Sequence, residues 1–164
     1  MSATDKILIF TDGSALGNPG PGGYGIVMKT PDGQLEKTFS KGFRLTTNNR
    51  MELLAIIDAL KKVKNRNLPI EIYTDSKYVV DAVNQKWLNK WRMQGFAKTK
   101  NPDLWREFLK TTQGLKYKIS WVKGHNNHPE NEQCDRLAVK AAKEKPEHID
   151  RGYEKSKEKP EQLF

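Results

Sequence analysis

Four apolar residues, Ile7-Leu8-Ile9-Phe10, run without interruption into Thr11-Asp12-Gly13-Ser14. Ile and Phe in an unbroken run fit a strand packed on both faces, which belongs in the interior of a sheet. A carboxylate delivered by such a strand is held by a rigid element. Burying it there is costly unless it is paired or bound to a metal. Asp-Gly is also a common turn signal, so taken alone the stretch reads as a strand that ends in a turn. The question is how many more acids stand at equivalent places.

Pro69-Ile70-Glu71-Ile72-Tyr73-Thr74-Asp75-Ser76 repeats the pattern, a strand closed by Thr-Asp-Ser. If the two strands are neighbours, Asp12 and Asp75 lie side by side at their carboxyl ends, where open α/β sheets place their sites. Asp75 alone would also serve as an N-cap for a short helix over 76–83. Between the two strands, 25–29 and 35–43 read as strands joined at Pro31-Asp32-Gly33, giving an antiparallel meander. The Gly17-Asn18-Pro19-Gly20-Pro21-Gly22-Gly23-Tyr24-Gly25 stretch reads as a tight turn region. It lacks the Gly-Lys-Ser/Thr ending of a phosphate loop. Over 46–63 the period changes: Leu53, Ile56, Ile57, Leu60 and Val63 form one helical stripe. Thr47, Asn48 or Asn49 can cap it, and Glu52, expected in its first turn, borders the buried stripe. Further on, helices are expected from 103 to about 112 and from Pro129, and a strand at 117–122. Asp135 falls about one turn into the last helix, where a surface pair with Arg136 or Lys140 is the plain alternative.

The chain has 164 residues, one domain by the usual prior. No apolar run approaches the length of a membrane span, and no apolar signal region follows the N-terminus. The single cysteine, Cys134, excludes an internal disulfide and suits a reducing cytoplasm. The net charge is +9, and residues 86–123 hold ten Lys or Arg against two acids, Asp103 and Glu107. Charge this concentrated points to a polyanion partner. Trp87, Trp91, Phe96 and Trp105 are interleaved with Lys86, Lys90, Arg92, Lys98 and Lys100, as core residues or as the aromatic faces of a nucleic-acid groove. From Lys143 onward six basic and six acidic residues cancel, and residues 151–164 read as a mobile charged tail.

Asp12, Glu52, Asp75 and Asp135 have no Cys or His at metal-ligand spacing, and His125, His128 and Cys134 match no zinc set. An all-oxygen site suits Mg²⁺, with Mn²⁺ as an alternative. Two such ions would clamp an in-line phosphoryl displacement. His125, in the polar stretch after Lys123, could shuttle a proton or help a product leave.

These stretches together resemble the bacterial type 1 ribonuclease H family. The resemblance covers about residues 6–145. It is carried by Phe10-Thr11-Asp12-Gly13-Ser14 with the glycine-rich stretch after it, by Thr46-Thr47-Asn48-Asn49-Arg50-Met51-Glu52-Leu53, and by Thr74-Asp75-Ser76. Trp121-Val122-Lys123-Gly124-His125 and His128-Pro129-Glu130-Asn131-Glu132 with Cys134-Asp135 complete it. The resemblance implies an α/β ribonuclease H-like fold: a five-stranded mixed sheet of order 3-2-1-4-5, with helices on both faces. Residues 1–145 would form the domain, with a basic protrusion at about 86–101, and 146–164 the tail. It implies an endonuclease that cuts the RNA strand of an RNA–DNA hybrid with Mg²⁺, leaving 5′-phosphate and 3′-hydroxyl ends. The sequence gives no strong sign of an oligomer, so a cytoplasmic monomer is expected. Asp12, Glu52, Asp75 and Asp135 would be the metal ligands and His125 the histidine that assists turnover. Asn18, Thr47, Asn48 and Asn49 would touch the hybrid, Thr47 on the DNA phosphate side, together with Lys90, Trp91, Arg92 and Asn101.

The chain departs from the family pattern in two places. The protrusion is shorter and less basic, with Phe96 at a tryptophan position, and Leu45 stands where an arginine often precedes the Thr-Thr pair, with Arg44 one place earlier. Three rival readings are distinguishable. A histidine-based ribonuclease would work in EDTA but leaves the four acids without a role. A binding module on the same fold would lack one of the acids. A related nuclease acting on DNA junctions or in strand transfer shares the carboxylate logic and differs only in substrate.

Overall fold

The apolar run at 7–10 lies in the middle of a five-stranded sheet of order β3-β2-β1-β4-β5. The computed structural model describes residues 5–123 and 128–157. Strands β1 (Ile7–Ala15), β2 (Gly20–Lys29) and β3 (Glu36–Thr46) form the antiparallel meander, followed by α1 (Asn48–Lys61) and β4 (Ile70–Thr74). Then come α2 (Lys77–Asn84), α3 (Trp87–Met93), α4 (Pro102–Thr112), β5 (Tyr117–Trp121), α5 (Pro129–Lys143) and α6 (Arg151–Ser156). Strand β4 pairs in parallel with β1 on one side and β5 on the other.

Strand parity sorts the apolar run onto two faces. Ile7 and Ile9 pack into the core built with α1, α2 and α4, while Leu8 and Phe10 pack with Val27, Tyr73 and Cys134 of α5. The α1 stripe is fully buried at Leu53, Ile56, Ile57 and Leu60. Each such side chain contributes about 1.5–3 kcal/mol of transfer free energy, enough to fix α1 against the sheet. Trp105 is a core residue, completely buried and donating its indole N–H to the Tyr78 hydroxyl at 2.9 Å.

The Asp-Gly turn expected after Phe10 does not form. Gly13, Ser14 and Ala15 continue β1 and pair with Tyr24, Gly23 and Gly22. The ladder hydrogen bonds outweigh the local preference of two residues, and the turn moves to 16–19, where Gly17 sits at φ 69°.

The expected mobile tail is also corrected, as far as residue 157. The Arg44 N–H donates to the His148 carbonyl at 2.8 Å, Asp150 caps α6 by accepting from the Tyr153 N–H, and Tyr153 is buried. The anchor is Arg50 of α1, only 3% exposed, gripped by Asp150 at 2.8 and 2.9 Å and by Asp103 at 2.7 and 2.9 Å. Burial works against the Arg50 charge, but the hydrogen bonds to Asp103 and Asp150 outweigh it and keep the guanidinium protonated. Gly152 allows the approach, since a Cβ there would collide with Asp103 and Arg50. The anchor joins residues 100 positions apart, so local hydrophobicity carries no trace of it.

Replacing Asp150 with alanine is expected to leave a buried, half-compensated guanidinium and to cost about 3 kcal/mol in urea unfolding, the low end for a broken buried pair because Asp103 remains. A loss below about 0.5 kcal/mol would show that α6 is not held by this pair.

Candidate metal centre and nucleic-acid cleft

Parallel pairing aligns Phe10 with Tyr73, so two residues further on Asp12 and Asp75 leave neighbouring strands together. Asp75 follows the last residue of β4. It is not the cap of α2: Ser76 takes that role, accepting from the Val79 N–H, and the Asp75 carboxylate is left free. The Trp121 indole N–H holds the Asp75 carbonyl at 3.1 Å. Thr47 caps α1, which puts Glu52 one turn deeper than expected, in the second turn. Gly13 lets this helix reach β1, because a Cβ there would strike the backbone of Met51 and Glu52. Ala15 N–H donates to Asn48 Oδ1 at 2.6 Å and pins the start of the helix to the strand.

Asp12, Glu52 and Asp75 each offer an oxygen within 4.8 Å of the others. Asp135 lines the same cleft from α5, outside that tight triplet. None of the ion pairs among the described residues involves Asp135, so the surface pair with Arg136 or Lys140 is not made. Helix α5 lies directly on the sheet backbone: a Cβ on Gly25 would strike the Cys134 carbonyl, and one on Gly23 the Ala138 carbonyl. Gly25 is the β2 partner of Asp12. The Cys134 thiol donates to the Phe10 carbonyl at 3.2 Å, and Asn131 donates to the Tyr73 carbonyl at 3.3 Å. Asp135 is thereby set beside the two strand acids by backbone contact on either side of it.

The electrostatics match a cation site. Burial, then the Asp75 charge, pushes the Asp12 carboxyl up to about 7. Burial, then the charges of Asp12 and Asp75, raises Glu52 well above the usual carboxylate range. Buried side-chain atoms without a hydrogen-bond partner among the described residues are Thr11 Oγ1, Asn131 Oδ1, Glu52 Oε2 and Asp75 Oδ1. Two of the four are carboxylate oxygens of one cluster. Orphaned oxygens that repel one another fit a hard divalent ion, which would satisfy them and offset their charge.

The residues expected to touch the hybrid divide into groups. Asn48 and Asn49 line the acid cleft. Asn18, Thr47, Asn49 and Asn101 line a second cleft next to it, joined through Asn49. Thr47 Oγ1 accepts from the Arg50 N–H, so its hydroxyl proton stays available. Asn101 donates to Tyr78 at 3.1 Å and accepts from Arg50 at 3.3 Å. Lys90, Trp91 and Arg92 sit on α3, outside both clefts. Lys90 and Arg92 are exposed, and Trp91 packs against Trp87 and Trp105. His125 lies outside the described residues. Sequence reasoning missed Lys77, which lines the acid cleft, and Tyr153 and Ser156 of α6 with the capping Lys157, which wall the second one. Lys77 follows Ser76 directly and could have been found from the Asp75 stretch; α6 carried no local signal.

In EDTA, stability is expected to fall as pH rises from about 4 to about 7. The folded Asp12 and Glu52 hold protons that the unfolded chain has already lost over that range, so stability is present below the unfolded pKa and lost through the folded one. Asp12→Asn, which also brings an NH₂ to the orphaned oxygens, should flatten this slope and stabilise the metal-free chain by on the order of 2 kcal/mol at pH 7.5. Mg²⁺ or Mn²⁺ should stabilise the original chain and not the variant. Thermal melts across pH, with and without the ions, read all three effects.

The family model for RNase H matches residues 4–143. The chain is 51% identical over 144 residues to ribonuclease H of Desulforamulus reducens, covering 85% of this chain and 89% of that one. It is 53% identical over 133 residues to ribonuclease HI of Helicobacter pylori, covering 81% and 90%. Among solved structures it superposes on LC9-RNase H1 with a TM-score of 0.75 at 29% identity, covering 96% and 82%. On LC11-RNase H1 in complex with an RNA/DNA hybrid the TM-score is 0.65 at 29% identity, covering 85% and 98%. With the sheet order, the acid triplet and nearly the whole of its length matched, this chain belongs to the ribonuclease H family.

Proposed function

We propose that this chain is an endonuclease that hydrolyses the RNA strand of RNA–DNA hybrids, leaving 5′-phosphate and 3′-hydroxyl ends. The observation that carries the proposal is the tight triplet of Asp12, Glu52 and half-buried Asp75, with Asp135 in the same cleft, in a chain of this family. These four carboxylates would hold Mg²⁺, with Mn²⁺ as a substitute. When bound, the metal activates a water and stabilises the leaving oxygen of an in-line displacement.

The chain's own residues do the positioning. Asp12 is fixed by the Gly13 N–H at 2.8 Å, which keeps one carboxylate oxygen oriented. Lys77 lines the acid cleft, with its ammonium over the Trp121 ring, and would lower the repulsion that a phosphodiester meets. Thr47 keeps a hydroxyl proton for a backbone phosphate, and Asn49 faces both clefts, where a 2′-hydroxyl would distinguish RNA from DNA. His125 is proposed, on its motif alone, to move a proton as product leaves. Lys90 and Arg92 would steer the polyanion from α3, weakly because so few cations stand there. We also propose that the chain acts as a monomer in the cytoplasm; its one thiol is buried, and no helix among the described residues is long and apolar enough to cross a membrane.

End-labelled RNA should be offered as a single strand, an RNA duplex, an RNA–DNA hybrid, and a hybrid with EDTA. The expected result is cleavage of the hybrid alone, abolished by EDTA and reduced at least about 10³-fold by Asp75→Asn. Cleavage of single strands that survives EDTA would move the chemistry to the histidines and overturn the proposal.

A further inference from the structure

We infer that α6 is part of the substrate-binding surface, and that Lys157, the residue capping the C-terminus of α6, binds a backbone phosphodiester of the hybrid opposite Thr47. This rests on the function proposed above. The second cleft has a volume of about 520 Å³, and no acidic residue lines it among the described residues. One wall carries Asn18, Thr47, Asn49 and Asn101, and the other is α6. Among the described residues its cations are Lys100 and Lys157. A cleft with amide and hydroxyl groups, two ammonium groups and no carboxylate is built for an anion, and through Asn49 it is continuous with the acid cleft.

Three further observations favour Lys157. Arg44, the cation of β3 nearest Thr47 in sequence, is engaged by Glu154 at 2.8 and 2.9 Å and does not line the cleft. Lys157 Nζ rests 5.2 Å from the Tyr153 ring centroid, which holds it at the cleft wall. The wall itself is rigidly placed. Asp150 bonds Arg50 and the Thr46 hydroxyl at 2.7 Å, the residues that flank the Thr47–Asn49 edge of the cleft. The clamp that holds α6 on the domain therefore also sets the width of the cleft.

The test uses the full chain and a fluorescein-labelled RNA–DNA hybrid, with binding read by anisotropy in EDTA from 50 to 200 mM KCl. Lys157→Ala should weaken binding and reduce the slope of log Kd against log salt by about 0.9, one phosphate contact. Lys157→Glu should weaken binding at 50 mM KCl by about tenfold or more, since it adds repulsion to the lost contact. In Mg²⁺ both should raise KM by more than they lower kcat. Lys64→Glu, the same charge change in the groove between α1 and β3, is the control and should stay within about twofold of the original chain. Melts of all three variants separate folding from binding, and the neutral Lys157→Ala keeps the reading if the glutamate destabilises α6. If both Lys157 variants match the Lys64 control in affinity and salt slope while the chain still cuts hybrid, this inference is overturned and the proposed function stands. If the chain neither binds nor cuts hybrid, both fall.

Discussion

Mutual repulsion among three clustered carboxylates, one of them half-buried, is the constraint that the rest of the structure answers. Left alone, the cluster would separate, or Asp12 and Glu52 would take up protons. They are kept together because each comes from a different element that has its own reason to be where it is. Asp12 is carried by the central strand, Asp75 by the parallel neighbour whose register is fixed by Ile9 and Ile72, and Glu52 by a helix that buries a full apolar stripe. The core thus supplies the free energy that holds a destabilising cluster in place, a common trade between stability and activity. The raised protonation of Asp12 and Glu52 is the record of that strain, and a divalent ion is its natural relief.

A second charge cluster works with the opposite sign. Arg50 is as deeply buried as the acids but fully paired, and it is spent on architecture. It ties α1, the start of α4 and the segment before α6 into one unit beside the cleft. Buried ion pairs are often no better than apolar packing in stability. Here the pair gives placement, joining three segments that share little apolar contact at that corner.

The sequence was readable where period and strand ends carry the information. The unbroken run before Asp12, its echo before Asp75 and the stripe of α1 marked two strand ends and a helix, and with them Asp12, Asp75 and Glu52; Asp135 followed from the helix opened at Pro129, and the strand order from the family resemblance. It was misread where a long-range partner overrules a local signal. Asp12-Gly13 looks like a turn until β2 pairs beyond it. Residues 151–157 look like a tail until Arg50, far away in sequence, is seen to need Asp150. Trp105 sits in a basic stretch yet belongs to the core, because burial depends on the face of α4 it occupies and not on its neighbours in sequence.

The two faces of the sheet differ in what they can absorb. Over α1 the contact is a thick layer of aliphatic side chains, which can be exchanged for others of similar volume with modest loss. Under α5 the glycines of β2 and β3 bring backbone against backbone, with Gly42 meeting the Ala141 carbonyl as Gly25 meets that of Cys134. No cushion lies between them, and no compensating change of one side chain can take up an added methyl group. Sequence drift is therefore open to the α1 face and closed along the α5 seam, so in this chain the residues least free to vary beside the acids are ones that have no side chain at all.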